Sequence, residues 1–117
     1  MEFSTIYSSF YVSDLARAET FFSKLIGRAP DDRPIPGMVQ WRFLGHAGLQ
    51  LFLDADKAGR SLTTIVTPDM AAAQASLAQE GLALGPVTRG PFGAIAQIHD
   101  PDGNRINIAE PPGKAAA

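Results

Sequence analysis

One pattern occurs twice in this chain, and it constrains the fold more than any other feature. Val12-Ser-Asp-Leu15 opens a run with apolar residues at helical spacing, and Gly27 stops it. Val66-Thr-Pro-Asp-Met70 opens a second run, and Gly81 stops that one. Closing segments match as well: Gly48-Leu-Gln-Leu-Phe-Leu53 in the first copy, Asn104-Arg-Ile-Asn-Ile-Ala109 in the second. A period of roughly 55 residues that spans most of a chain marks a duplicated building block. Each copy reads strand, helix, strand, strand, strand, although the second strand of the first copy is weakly marked inside a Pro-rich loop. One helix covers one face of one sheet and leaves the other bare. Two copies can turn their bare faces inward and enclose a cleft. The expected architecture is therefore α+β, two βαβββ modules in a single domain over residues 1–117. Module 1 runs from about residue 3 to 54 and module 2 from about 61 to 110, followed by a tail at 111–117 that ends in a frayed run of alanines.

The local signals support that division. Phe3 to Val12 is rich in β-branched and aromatic residues, with Ile6, Ser8, Phe10 and Val12 on one face and Tyr7, Ser9 and Tyr11 on the other. Ser13 or Asp14 caps a helix whose stripe is Leu15, Ala18, Phe22, Leu25 and Ile26. Met38 to Leu44 and Leu49 to Leu53 read as strands around a Gly45-His46-Ala47-Gly48 turn. Ser61 to Val66 is a strand, Thr67 caps a second helix, and Pro68 suits its first position. Leu84 to Arg89 and Gly93 to His99 are expected strands around Gly90-Pro91. In Asp100-Pro-Asp-Gly-Asn104, Pro presets φ and Gly accepts a positive φ, so a tight turn leads into the closing strand.

Composition removes several classes of function. A formal net charge of -2, with the basic residues scattered, offers no surface for nucleic acid. The absence of cysteine excludes disulfides, thiolate metal sites and thiol catalysis, and fits a reducing cytoplasmic setting. No run approaches the ~18 apolar residues that would suggest a membrane span, and Met1-Glu-Phe-Ser4 does not begin like a signal peptide.

Candidate chemistry is sparse. His46 lies in a Gly-rich turn. His99 ends a strand, where a hydrogen bond to the neighbouring loop is the simpler reading than a catalytic base. Asp31-Asp32 reads as a solvated loop pair, and Asp54, Asp56, Asp100 and Asp102 as turn formers. More informative is an aromatic set at strand positions. If Phe10, Leu49, Leu51, Ile106 and Ile108 supply the helix-facing core, then Tyr7, Tyr11, Trp41, Phe43 and Phe52 line the inner face, dotted with Ser9, Gln50, Gln97 and Asn107. Apolar walls with a few amides describe a small-molecule pocket.

Phe10-Tyr-Val-Ser-Asp-Leu15, Phe21-Phe22, Leu25-Ile-Gly27 and Asp100-Pro-Asp-Gly-Asn-Arg-Ile106, set in this repeat, resemble the vicinal oxygen chelate superfamily of glyoxalase I, extradiol dioxygenases and bleomycin-resistance proteins. The resemblance implies a homodimer and, in the superfamily's metalloenzymes, a divalent ion held by His, Gln or Glu at inward strand positions. Carried over, those positions fall on Tyr7, Gln50, Leu62 (or Ser61, if a residue before Met70 is inserted) and Asn107. None is a histidine or a carboxylate, so no metal or other cofactor is expected. The expected function is metal-independent binding of a small molecule, such as sequestration of a toxic compound. The alternatives are a lyase, isomerase or dioxygenase with an atypical metal site, metal-free acid–base chemistry by His99 or Tyr7, or a partner domain whose cleft is filled by its own side chains.

Overall fold

The computed structural model describes residues 1–113. Residues 115–117, where the frayed end was expected, lie outside the described residues. The chain runs β1 (Ile6–Val12), α1 (Leu15–Ile26), β2 (Met38–Leu44), β3 (Ala47–Leu53), β4 (Leu62–Val66), α2 (Met70–Gln79), β5 (Thr88–Gly90), β6 (Gly93–His99) and β7 (Arg105–Glu110). Two sheets result, ordered β1-β3-β2 and β4-β7-β6-β5. In each sheet the first strand lies parallel to the last, β1 to β3 and β4 to β7, as a duplicated unit requires. Among the described residues, no helix is long and apolar enough to cross a membrane.

Helix α1 starts where Asp14 accepts a hydrogen bond from the Arg17 N–H, and it ends at Gly27, whose φ of 91° few other residues tolerate. Its Ala18, Phe21 and Phe22 are buried against β2 and β3, with the Phe10 and Phe22 rings 4.9 Å apart. Helix α2 begins two residues later than expected. Thr67 forms a local turn in which its hydroxyl accepts from the Asp69 N–H, and Asp69 is the cap, accepting from the Ala72 N–H at 3.0 Å.

Two expected strands are reduced, and prolines explain both. The loop at 28–37 holds Pro30, Pro34 and Pro36, which have no N–H to donate, so the second strand of module 1 survives only as a bridge between Asp32 and Gln40. At 84–89, Pro86 interrupts the ladder. Gly85 gives one hydrogen bond to the Gln97 carbonyl, and pairing resumes only at Thr88.

The turn from Asp100 to Asn104 ties the modules together. Asp100 Oδ1 accepts from the N–H groups of Asp102 and Asn104, and its Oδ2 accepts from Asn104 Nδ2 at 2.7 Å. Asn104 Nδ2 also donates to the Tyr11 carbonyl of module 1 at 2.9 Å, and its Oδ1 accepts from the Ser61 N–H at 2.9 Å. Asp102 takes the Ser13 N–H and hydroxyl. Further along, the Ser8 hydroxyl of β1 meets the Thr63 hydroxyl of β4. One core runs through both modules, from Phe10, Trp41 and Leu51 to Met70, Ile106 and Ile108.

Candidate functional site

Alternation along the strands leaves one face of each sheet away from the core. On the first sheet that face carries Tyr7, Ser9 and Tyr11 of β1, Gly48, Gln50 and Phe52 of β3, and Gln40 of β2. Residues directly opposite on neighbouring strands share a face. Ser9 is opposite Gln50, Gln50 opposite Gln40, and Gln40 opposite Asp32, so these four form one row across the sheet. The row is hydrogen-bonded throughout. Ser9 Oγ donates to Gln50 Oε1 at 3.0 Å, Gln50 Nε2 to Gln40 Oε1 at 3.0 Å, and Gln40 Nε2 to Asp32 Oδ1 at 3.2 Å.

Aromatic rings flank the row. On one side Tyr11 and Phe52 are 6.1 Å apart, with Lys57 Nζ 5.0 Å from the Tyr11 ring centre. On the other, the Cδ1–Cε1 edge of the Tyr7 ring lies over Gly48, where any Cβ would strike it. All three rings are half-buried.

The second sheet repeats the arrangement in reduced form. Thr64, Asn107 and Gln97 form a row. Asn107 Nδ2 donates to Thr64 Oγ1 at 3.4 Å, while its Oδ1 is buried without a hydrogen-bond partner. Gln97 and His99 are exposed and line an open groove of about 680 Å³ with Gly85, Pro86 and Thr88. Two carboxyls near these faces are displaced from their usual range. The Arg42 backbone N–H, helped by the Arg28 guanidinium, holds Asp31 below it. Burial pushes Asp100 above it, against the pull of the N–H groups it accepts.

The structure corrects two expected site residues. Trp41 is not a cleft wall. It is 0% exposed on the helix side, its ring 6.4 Å from Phe22 and its indole N–H donating to the Arg28 carbonyl at 3.0 Å. Register places it opposite Leu49 and Val39 opposite Leu51, both core residues. Phe43 shares neither face. A bulge between Trp41 and Leu44 breaks the alternation, and Phe43 stands at φ 58°, 80% exposed, with the Arg42 guanidinium 5.5 Å from its ring. Tyr7, Ser9, Tyr11, Gln50 and Phe52 do come together. Gln97 and Asn107 lie on the corresponding face of the other sheet. Gln40 and Asp32 share the row with Gln50 and were not expected there; the signal for Gln40 was its place one residue before Trp41, on the opposite face.

The residues at the superfamily's metal positions do not suit a divalent ion. Tyr7 is a phenol and Leu62 an exposed alkyl group. Ser61, the alternative to Leu62, offers only a neutral hydroxyl. Gln50 has its oxygen on the Ser9 hydroxyl and its nitrogen on Gln40. Asn107 offers a neutral amide oxygen, buried without a hydrogen-bond partner. Among the described residues, no three His, Asp or Glu side chains cluster closely enough to hold a metal. Stable divalent sites draw on imidazoles and carboxylates, and this set has neither.

No protein-family model matches the sequence, and no curated protein does. Solved structures do match. A glyoxalase/bleomycin resistance protein from Catenulispora acidiphila superposes with a TM-score of 0.84 at 21% identity, over 92% of this chain and 98% of that one. TnmS3, an antibiotic-binding protein from a Streptomyces species, gives a TM-score of 0.80 at 27% identity over 96% and 99%. A lactoylglutathione lyase from Agrobacterium tumefaciens gives 0.73 at 21% identity over 90% and 91%.

Proposed function

We propose that this chain, which shares the fold of a glyoxalase/bleomycin resistance protein and of an antibiotic-binding protein, is a metal-independent small-molecule-binding protein of the vicinal oxygen chelate superfamily. One observation carries the reading: a hydrogen-bonded polar row with half-buried aromatic rings on either side, on the sheet face turned away from the core. Flat rings supply contact area, and fixed polar groups supply orientation. Likeness to an antibiotic-binding protein supports a toxic ligand, and the rings of Tyr7, Tyr11 and Phe52 suit an aromatic one; the proposed setting is the cytoplasm.

A single sheet face cannot surround a ligand, and pockets normally bury most of their ligand's surface. In this proposal the protein is therefore a homodimer, with a second copy closing the open faces of Tyr7, Tyr11 and Phe52 on one sheet and of Gln97 and Asn107 on the other.

The test is thermal unfolding in chelator with a panel of polycyclic aromatic antibiotics, followed by size measurement in solution. A ligand at a hundred times its dissociation constant stabilises by ~2.7 kcal/mol, several degrees for a domain of this size. Such a rise in chelator, lost in Tyr11→Ala and Phe52→Ala, is the expected result. A chelator-reversible rise with a divalent metal alone would overturn the metal-independent reading.

A further inference from the structure

The polar row has a direction, and one charged residue sets it. Asp32 lies at the outer end, where its Oδ2 is 3.4 Å from an Arg42 guanidinium nitrogen. A carboxylate only accepts hydrogen bonds. Gln40 must therefore turn its NH₂ towards Asp32, because its oxygen there would face another oxygen. Its own oxygen then faces Gln50, which must in turn present its NH₂. That leaves Gln50 Oε1 facing Ser9, whose hydroxyl proton is committed to it. Backbone pairing holds the row in register: the Gln40 N–H donates to the Asp32 carbonyl at 2.9 Å, and the Asp32 N–H to the Gln40 carbonyl at 3.2 Å.

We infer that Asp32 is a positioning residue that fixes Ser9 as a hydrogen-bond acceptor, so that the site selects aromatic ligands carrying an N–H or O–H donor. Ser9 is exposed at the cleft end of the row, with lone pairs left over and no proton to give. The buried, unpartnered Oδ1 of Asn107 offers the same chemistry from the other sheet. The inference rests on the binding reading above and adds what the site discriminates. Asp32→Asn is the informative change, because an amide offers either an oxygen or an NH₂ and so permits the row to reverse. The ion pair lost is exposed and contributes little to stability.

Two experiments separate the inference from the reading beneath it. In the ligand-free protein, the side-chain amide resonances of Gln40 and Gln50 are followed by NMR in the parent and in Asp32→Asn. Both should shift, although Gln50 does not touch Asp32; movement of Gln40 alone would overturn the relay. The second compares indole, which has one donor and no comparable acceptor, with N-methylindole, which has neither. Indole should bind the parent about three- to tenfold tighter, the worth of one hydrogen bond. That ratio should collapse towards one in Ser9→Ala. In Asp32→Asn, quinoline, which has an acceptor and no donor, should bind several-fold tighter than it binds the parent, because a reversed row frees the Ser9 proton. Unchanged quinoline affinity in Asp32→Asn would overturn the role of Asp32. If neither probe perturbs Tyr7, Tyr11 or Phe52, the binding reading fails, and the amide shifts still decide the polarity of the row.

Discussion

Asn104→Ala should damage this protein more than any change on its open faces. The side chain is 0% exposed and fully used: two donors to the Asp100 carboxylate and the Tyr11 carbonyl, one acceptor for the Ser61 N–H. Those partners belong to the turn, to module 1 and to the segment entering module 2. Two neutral hydrogen bonds at about 1 kcal/mol each, and one to a carboxylate at about 2 kcal/mol, sum to a loss of about 4 kcal/mol. Of the partners left behind, the Asp100 carboxylate is buried and the Tyr11 carbonyl and Ser61 N–H are part-buried, so only part of that loss is recovered. Against a typical total of about 5–15 kcal/mol, this is a large share of the stability. Urea unfolding at neutral pH measures it directly, and an m-value of about 2 kcal/mol/M puts the midpoint lower by about 2 M. Asn104→Asp is the companion variant. It keeps an acceptor for Ser61 but sets a second carboxylate against Asp100, so its loss should be at least as large at neutral pH and should shrink as the pH falls. A loss below about 1 kcal/mol in Asn104→Ala would refute the assignment of Asn104 as the clamp between modules.

Trp41→Ala should cost about 3–5 kcal/mol in urea unfolding, as emptying a large aromatic site in a core does, and Trp41 emission should not respond to a ligand on the opposite face. Phe43→Gly should raise stability by about 1 kcal/mol, because the exposed ring has little contact to lose while glycine adopts the positive φ without strain; a loss measured by the same titration would mean that the ring is packed in solution. Asp100 binds its proton at higher pH in the folded chain than in the unfolded one, chiefly through burial. Its contribution to stability is therefore greatest below the usual carboxylate pKa and falls as the pH rises through the displaced one. Urea midpoints of the parent relative to Asp100→Asn should accordingly decline from acid to neutral pH, and a rise over that interval would contradict the direction.

The duplicated frame was legible because its signals are local. Asp14 and Gly27 mark the ends of α1 through their own backbone and side-chain chemistry, and β7 alternates cleanly between core and open face. Where a second local device competed, the reading slipped. Thr67-Pro68 looks like a helix start, but the Thr67 hydroxyl serves a turn and hands the cap to Asp69. The inner face was only half legible, for a different reason. Alternation says that Val39 and Trp41 share a face; it does not say which face is covered, because that depends on the register with β3, a contact between separate strands. Placing Trp41 with the helix moves Gln40 to the cleft by the same period of two. The bulge at Phe43 then hides this shift by removing the residue that would have continued the alternation. Asp32 was further out of reach. In the sequence it is one of two adjacent acids in a Pro-rich loop, and it gains a role only through a single backbone bridge to Gln40. The groups that would recognise a ligand here, Ser9, Gln50 and Gln40, are uncharged and common on any strand. Their meaning comes from the row that pairs them and from the one carboxylate at its end.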